Sequence, residues 1–156
     1  MRLSRLAASA LTIASLPFAQ PIIAAPVTVG TYYDETATGS CGVGTSCSIN
    51  FTQLPSNMLL KVEKVHCWAN GQSSPILSAS LVIAASQGGP TIQRFLPLPL
   101  LMLGGGAING SYYETIDTET GWLIGQGRFP IIQFGFLSGN YVVGQCTIIG
   151  QLVPPS

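Results

Sequence analysis

Apolar and polar residues alternate with a period of two along many short segments of the chain, and clusters of Gly, Pro, Asn and Ser separate those segments. This period is typical of β-strands with one buried face, and no segment after residue 25 repeats its apolar residues at helical spacing. The pattern therefore predicts an all-β fold, a single antiparallel β-sandwich of jelly-roll-like type with about eight strands. The predicted strands are Val27–Tyr33, Ser46–Leu54, Leu59–Trp68, Leu77–Ala85, Thr91–Leu96, Ser111–Asp117, Gly121–Ile124, Phe129–Leu137 and Val142–Val153.

Two places interrupt the alternation. Glu119-Thr120-Gly121 predicts a hairpin turn, because glycine supplies the positive φ that such turns need. Between Val62 and Val65 the apolar phase slips by one residue. A β-bulge at Glu63-Lys64 would return both valines to the core and would turn His66 outward.

The first 25 residues have the three-part layout of a secretory signal. Basic Arg2 and Arg5 precede the apolar stretch Leu6–Phe18, and small residues follow at Ala24-Ala25. The alternative is an N-terminal membrane anchor, but the apolar stretch is shorter than the roughly 20 residues of a spanning helix. We predict a signal peptide over residues 1–25, cut near residues 24 and 25, and a single secreted or periplasmic domain over residues 26–156, with no transmembrane segment.

Charge is scarce in the predicted mature chain. The whole sequence has six basic and six acidic residues, and losing Arg2 and Arg5 with the leader leaves four against six, a net charge of −2. Charged residues make up 8% of the sequence, against about a quarter in typical proteins. The absence of a basic patch argues against a nucleic-acid partner, and a neutral surface suits a secreted protein or a subunit of an assembly.

The chain has four cysteines, and an even number in an exported protein predicts disulfides. A metal site is the alternative, but there is no Cys-x-x-Cys motif and only one histidine, so we predict neither metal nor cofactor. Cys67 and Cys146 have inward phase on long strands, so we expect them to pair across the two layers. Cys41 would then pair with Cys47.

The loop-entropy model gives the two bridges different weights. It assigns about 4.5 kcal/mol to the long bridge and about 2.4 kcal/mol to the short one. We therefore expect reduction of the long bridge to open the domain, and reduction of the short bridge mainly to loosen a loop.

Two segments carry a resemblance to known proteins. The sequence LPSNMLLKVEKVHC, with Pro55, Leu60, Val62 and Val65, and the terminal CTIIGQLV, with Gly150, resemble short exported bacterial β-sandwich proteins of unknown function. The resemblance covers a small part of the chain. It implies a fold and a compartment, and it implies no activity.

No catalytic motif stands out, and we predict a non-enzymatic protein. His66 is the only histidine, and no Gly-x-Ser-x-Gly elbow is present, so we expect an exposed strand histidine. The acidic residues Glu114, Asp117 and Glu119 allow a second hypothesis, a secreted hydrolase acting on glycans.

Paired tyrosines suggest a binding surface. Gly30–Asp34 and Gly110–Glu114 begin alike, each with two adjacent tyrosines followed by an acid. Aromatic rings beside acids could form a sugar-binding platform, or the acids could bind calcium, although no EF-hand spacing is present. The alternative is a solvated strand end and turn. The candidate binding residues are Tyr32, Tyr33, Tyr112 and Tyr113.

The segment Leu96–Gly106 is unusually apolar, and its prolines exclude a central strand at its start. It either covers the core as a loop or forms an exposed patch for a protein or lipid partner. Leu100 and Leu101 are the candidate contact residues.

The sequence thus favours an exported domain that binds or assembles, with a protein or a glycan as partner. The alternatives are the glycan hydrolase and a structural subunit of a surface layer or appendage.

Overall fold

The computed structural model describes residues 25–42, 44–103, 106–137 and 141–155. Within them, ten strands form two antiparallel sheets, which confirms the predicted all-β fold with ten strands instead of about eight. The predicted signal peptide lies almost wholly outside the described residues and stays a prediction. The strands are β1 Val27–Val29, β2 Tyr32–Cys41, β3 Ser46–Asn50, β4 Leu59–Gln72, β5 Ile76–Ala84, β6 Thr91–Leu98, β7 Leu101–Met102, β8 Ser111–Ile124, β9 Phe129–Phe136 and β10 Tyr141–Val153.

One sheet has six strands in the order β1-β2-β10-β4-β8-β7, and the other has four in the order β3-β9-β5-β6. Along the chain, consecutive strands belong to different sheets at six connections: β2–β3, β3–β4, β4–β5, β6–β7, β8–β9 and β9–β10. Among the described residues, no helix is long and apolar enough to cross a membrane.

Alternating apolar side chains from both sheets form the core. It includes the fully buried rings of Phe51 and Phe134 and the fully buried aliphatic chains of Leu81, Ile116 and Ile148. This follows from the period-two patterning, since every second residue of a strand points to the same face of its sheet.

The predicted bulge in β4 is confirmed. Lys64 lies opposite Ile149 of β10 whereas Val62 lies opposite Gly150, so Glu63 is an extra residue on β4. His66 is exposed on the outer face, as predicted. The extra residue is what keeps the apolar side chains on both sides of it in the core.

The predicted hairpin at Glu119-Thr120-Gly121 is wrong, because β8 runs through these residues without a turn. The pairing with β4 shifts here, between Val62 and Lys64. The Thr120 hydroxyl donates to the carbonyl of Val62 and accepts the backbone N–H of Trp122. Gly121 therefore belongs to an irregularity within a long strand.

The predicted disulfide pairing is confirmed: Cys41 bonds to Cys47, and Cys67 bonds to Cys146. The predicted placement of the long bridge across the layers is wrong. Cys67 and Cys146 lie opposite each other on β4 and β10, which are neighbours in the six-stranded sheet. The short bridge joins β2 to β3 and so links the two sheets.

Candidate functional site

The four candidate tyrosines do not form one platform. Strand alternation turns Tyr33 into the core and points the half-buried Tyr112 in the same direction, toward the other sheet. Tyr32 and Tyr113 are exposed on the outer face of the six-stranded sheet. Tyr32 belongs to the same cross-strand row as Lys61, and Tyr113 lies opposite Asn70, so about 25 Å separate them along β4.

The three candidate acids of β8 diverge as well. Glu114 points into the core and is buried, whereas Asp117 and Glu119 are exposed. Asp117 lies 2.8 Å from the Lys64 ammonium, and the hydrogen bond from Lys64 lowers the pKa of the Asp117 carboxyl. These residues therefore do not share the cleft that the glycan-hydrolase hypothesis needs.

Glu35 and Glu114 are buried carboxylates, and the sequence did not predict either of them as a core residue. Each extends from the six-stranded sheet to a backbone N–H of the other layer. Glu35 Oε1 accepts the N–H of Thr52, just after β3, at 2.8 Å. Glu114 Oε1 accepts the N–H of Ile76, the first residue of β5, at 3.1 Å. The sequence does contain a signal for these buried acids, a Tyr-x-Glu spacing at Tyr33–Glu35 and at Tyr112–Glu114. Residues two apart on a strand point to the same face, so each acid lies on the same face as its tyrosine.

The two carboxylates differ in how well they are satisfied. Glu35 Oε2 accepts the hydroxyls of Tyr33 and Thr52. Burial and the hydrogen bond to Glu35 raise the pKa of the Tyr33 phenol, and a hydrogen bond with Thr52 opposes that rise only in part. Glu114 Oε2 has no partner among the described residues. Burial raises the pKa of Glu114, and the hydrogen bond from Ile76 opposes that rise only in part. Both groups are structural contacts between the layers.

The outer face of the six-stranded sheet is divided by charge. Six charged side chains cluster around the bulge, with ion pairs from Lys61 to Glu63 at 3.5 Å and from Lys64 to Asp117. We name this the charged half: Asp34, Lys61, Glu63, Lys64, Asp117 and Glu119. Beyond His66, toward the other end of the sheet, the described outward residues carry no charge.

We name that uncharged end the neutral patch. Its three aromatic residues Trp68, Tyr113 and Tyr141 are 42%, 39% and 41% exposed. The Trp68 indole N–H donates to Gln145 Oε1 at 3.0 Å, which fixes the ring against the sheet. The patch consists of Trp68, Asn70 and Gln72 on β4, Tyr113 and Thr115 on β8, and Tyr141, Val143 and Gln145 on β10.

A shallow depression of about 240 Å³ borders the neutral patch. Thr38, Gly39 and Ser40 of β2 and Val143 of β10 line it. Because Val143 lies opposite both Ser40 and Asn70, the depression continues directly into the patch.

The apolar segment before β8 is partly buried and partly exposed. Leu98 is buried, and Leu100 packs against the core. The next three residues are exposed, and we name Leu101, Met102 and Leu103 the apolar ridge. Leu101 lies opposite Thr115, which places it at the border of the neutral patch.

No group of three or more His, Cys, Asp or Glu side chains among the described residues could hold a metal ion. No family model, no curated protein and no solved structure matches the chain.

Proposed function

We propose that this chain is an exported, non-enzymatic binding domain that holds a neutral glycan on the neutral patch. The observation that carries the proposal is the presence of three half-exposed aromatic rings, Trp68, Tyr113 and Tyr141, at the uncharged end of one sheet face. Such rings combine a large apolar surface with a polar edge.

The chemistry of the patch matches that of an uncharged sugar. The C–H groups of a sugar ring can pack on an aromatic ring, while its hydroxyls exchange hydrogen bonds with side chains such as Gln145 and Thr115. With charge confined to the other half of the face, a neutral ligand can bind without removing an ion from water, which would be costly.

Export is part of the same proposal. Two disulfides indicate folding in an oxidising compartment, since such bonds rarely persist in the cytosol. A secreted or periplasmic location would give the domain access to extracellular or cell-wall glycans.

The test is a glycan array probed with the oxidised protein, followed by titration calorimetry on the glycans that bind. We expect Trp68→Ala to weaken binding at least tenfold. Tyr32→Ala is the matched control, because Tyr32 is 43% exposed on the same sheet but at its charged end. The proposal fails if the wild-type protein binds no neutral glycan, or if both variants lose affinity equally.

A second candidate function is a subunit of an assembly, and the apolar ridge favours it. Contiguous exposed apolar residues on a small protein mark contact surfaces, and Leu101, Met102 and Leu103 are all at least 44% exposed.

A further inference from the structure

Resting on the proposed function, we infer that the ligand is an extended neutral glycan chain that lies across the strands, and that the side-chain amide of Asn70 sets its position. The inference rests on one cross-strand row of the neutral patch and on the hydrogen bonding of Asn70.

The row crosses four strands in direct register. Ser40 of β2 lies opposite Val143 of β10, Val143 lies opposite Asn70 of β4, and Asn70 lies opposite Tyr113 of β8. Three strand spacings give this row a length of about 14 Å. A ligand that filled it would be a chain of several sugar units, because one sugar ring is much shorter.

Larger side chains border the row. Trp68 lies two residues from Asn70 along β4, on one side of the row. Tyr141 lies two residues from Val143 along β10, on the other side of the row. The smaller Ser40, Val143 and Asn70 therefore form a trough between two aromatic rings, open at the depression beside β2.

Asn70 lies in the middle of the row and has an unusual property. Its Nδ2 atom is buried and has no hydrogen-bond partner among the described residues. Buried donors in native proteins nearly always have a partner. We assign the missing partner of the Asn70 Nδ2 atom to an acceptor on the ligand. Rotation of the amide about χ2, a torsion with a broad distribution, would turn this donor toward the ligand.

The acceptor has a defined chemistry. With no described charged side chain along the row, the partner of the Asn70 amide is a neutral oxygen, a sugar hydroxyl or the carbonyl of an acetamido group. Acidic polysaccharides would find no cation here to balance their carboxylates or sulfates.

The experiment compares neutral oligosaccharides of increasing length, from the single sugar upward, in the series selected by the array. We measure their affinities for the wild-type protein, Asn70→Ala, Asn70→Asp and Trp68→Ala, after checking by thermal melting that each variant folds. We expect wild-type affinity to rise with chain length and then level off. Both Asn70 variants should bind the longest chain at least tenfold more weakly.

A second measurement needs no variant. In the wild-type protein, the side-chain NH₂ resonances of Asn70 should shift and gain protection from exchange when the oligosaccharide binds. Unchanged resonances, or single sugars bound as tightly as chains, would overturn the inference. So would Asn70 variants that bind normally while Trp68→Ala does not, although the proposed function would survive that result. Selective binding of a polypeptide instead, with no neutral glycan bound, would overturn both.

Discussion

Cys67 lies directly opposite Cys146 on neighbouring strands, with 4.1 Å between their Cα atoms. This bridge therefore reinforces a strand pair that backbone hydrogen bonds already hold together. The covalent link between the layers is Cys41–Cys47, where 5.4 Å separate the Cα atoms of β2 and β3. The two bridges thus have different structural roles, and their removal should have different effects.

Replacing Cys67 and Cys146 by alanine should lower the free energy of unfolding by about 4.5 kcal/mol, because the bridge closes a long loop in the unfolded chain. Loss of this bridge should not open the domain, in contrast to the expectation from the sequence, because β4 and β10 are hydrogen-bonded neighbours. The strand pair itself should persist, so amide exchange in β4 and β10 should keep its native pattern. Denaturant unfolding and native-state hydrogen exchange measure the two effects. Separation of β10 from β4 in the folded variant would contradict this prediction.

Replacing Cys41 and Cys47 by alanine should lower the free energy of unfolding by a smaller amount, about 2.4 kcal/mol, because this bridge closes a short loop. The local effect should be larger, with faster amide exchange in β3, since this strand loses its covalent link to the other sheet. Unchanged exchange over Ser46–Asn50 would show that the bridge does not hold the layers together.

Glu35→Gln should destabilise the protein by about 2 kcal/mol, because hydrogen bonds to charged groups contribute more than neutral ones. Glu35 receives three donors, from the Thr52 backbone, the Thr52 hydroxyl and the Tyr33 phenol. An amide NH₂ in place of one carboxylate oxygen would face two hydroxyls and disturb both contacts. Urea unfolding at pH 7 tests this, and an unchanged midpoint would contradict it.

Glu114→Gln should stabilise the protein by roughly 1 kcal/mol at pH 7, because it removes a buried charge that has one unpartnered oxygen. The folded state raises the pKa of Glu114, so it holds the proton more tightly than the unfolded chain does. Wild-type stability should therefore fall as pH rises from about 4.3, the ordinary pKa of glutamate, through the raised folded value.

The measurement for Glu114 is the difference in unfolding free energy between wild type and Glu114→Gln at a series of pH values. The advantage of the variant should grow as the pH rises above about 4.3, the ordinary pKa of glutamate, and should become constant once the pH exceeds the raised folded pKa. An advantage that shrinks as pH rises would show that ionised Glu114 stabilises the fold.

Gly150→Ala should destabilise the protein by about 2 kcal/mol or more, as overpacking of a well-filled site does. A Cβ at this position would overlap the backbone carbonyl of Lys61 and would lie 3.1 Å from the Val62 Cα, next to the bulge. Gly121→Ala is the control, since a Cβ there meets nothing within 4 Å. Thermal melting compares the two, and equal losses would indicate that the contact with Lys61 is not the cause.

Leu101→Asp should leave the melting temperature within a few degrees of wild type, because surface substitutions rarely change stability much. If the apolar ridge mediates assembly, the variant should associate more weakly in size-exclusion chromatography with light scattering. Leu77→Asp is the control, because Leu77 is 58% exposed against 61% for Leu101. A monomeric wild type would argue against the assembly function, and a large loss of stability would indicate a core role for Leu101.

The local pattern was sufficient for several features. The slip between Val62 and Val65 predicted the bulge, and the inward phase of Cys67 and Cys146 predicted their pairing. Both succeed because the direction of a strand side chain depends only on its position in the alternation. The glycine turn signal fails at Gly121, because β8 continues through this position and the Thr120 hydroxyl bonds to the Val62 carbonyl of the neighbouring strand.

The sequence by itself determined the all-β class, the inward and outward faces of its clearest strands and the cysteine pairs. Only the tertiary structure decided that β10 lies between β2 and β4, because strand order depends on pairing between residues far apart in the chain. That order puts Cys67 and Cys146 in one sheet and separates the neutral patch from the charged half. It also lines up Ser40, Val143, Asn70 and Tyr113, a register that no local pattern encodes.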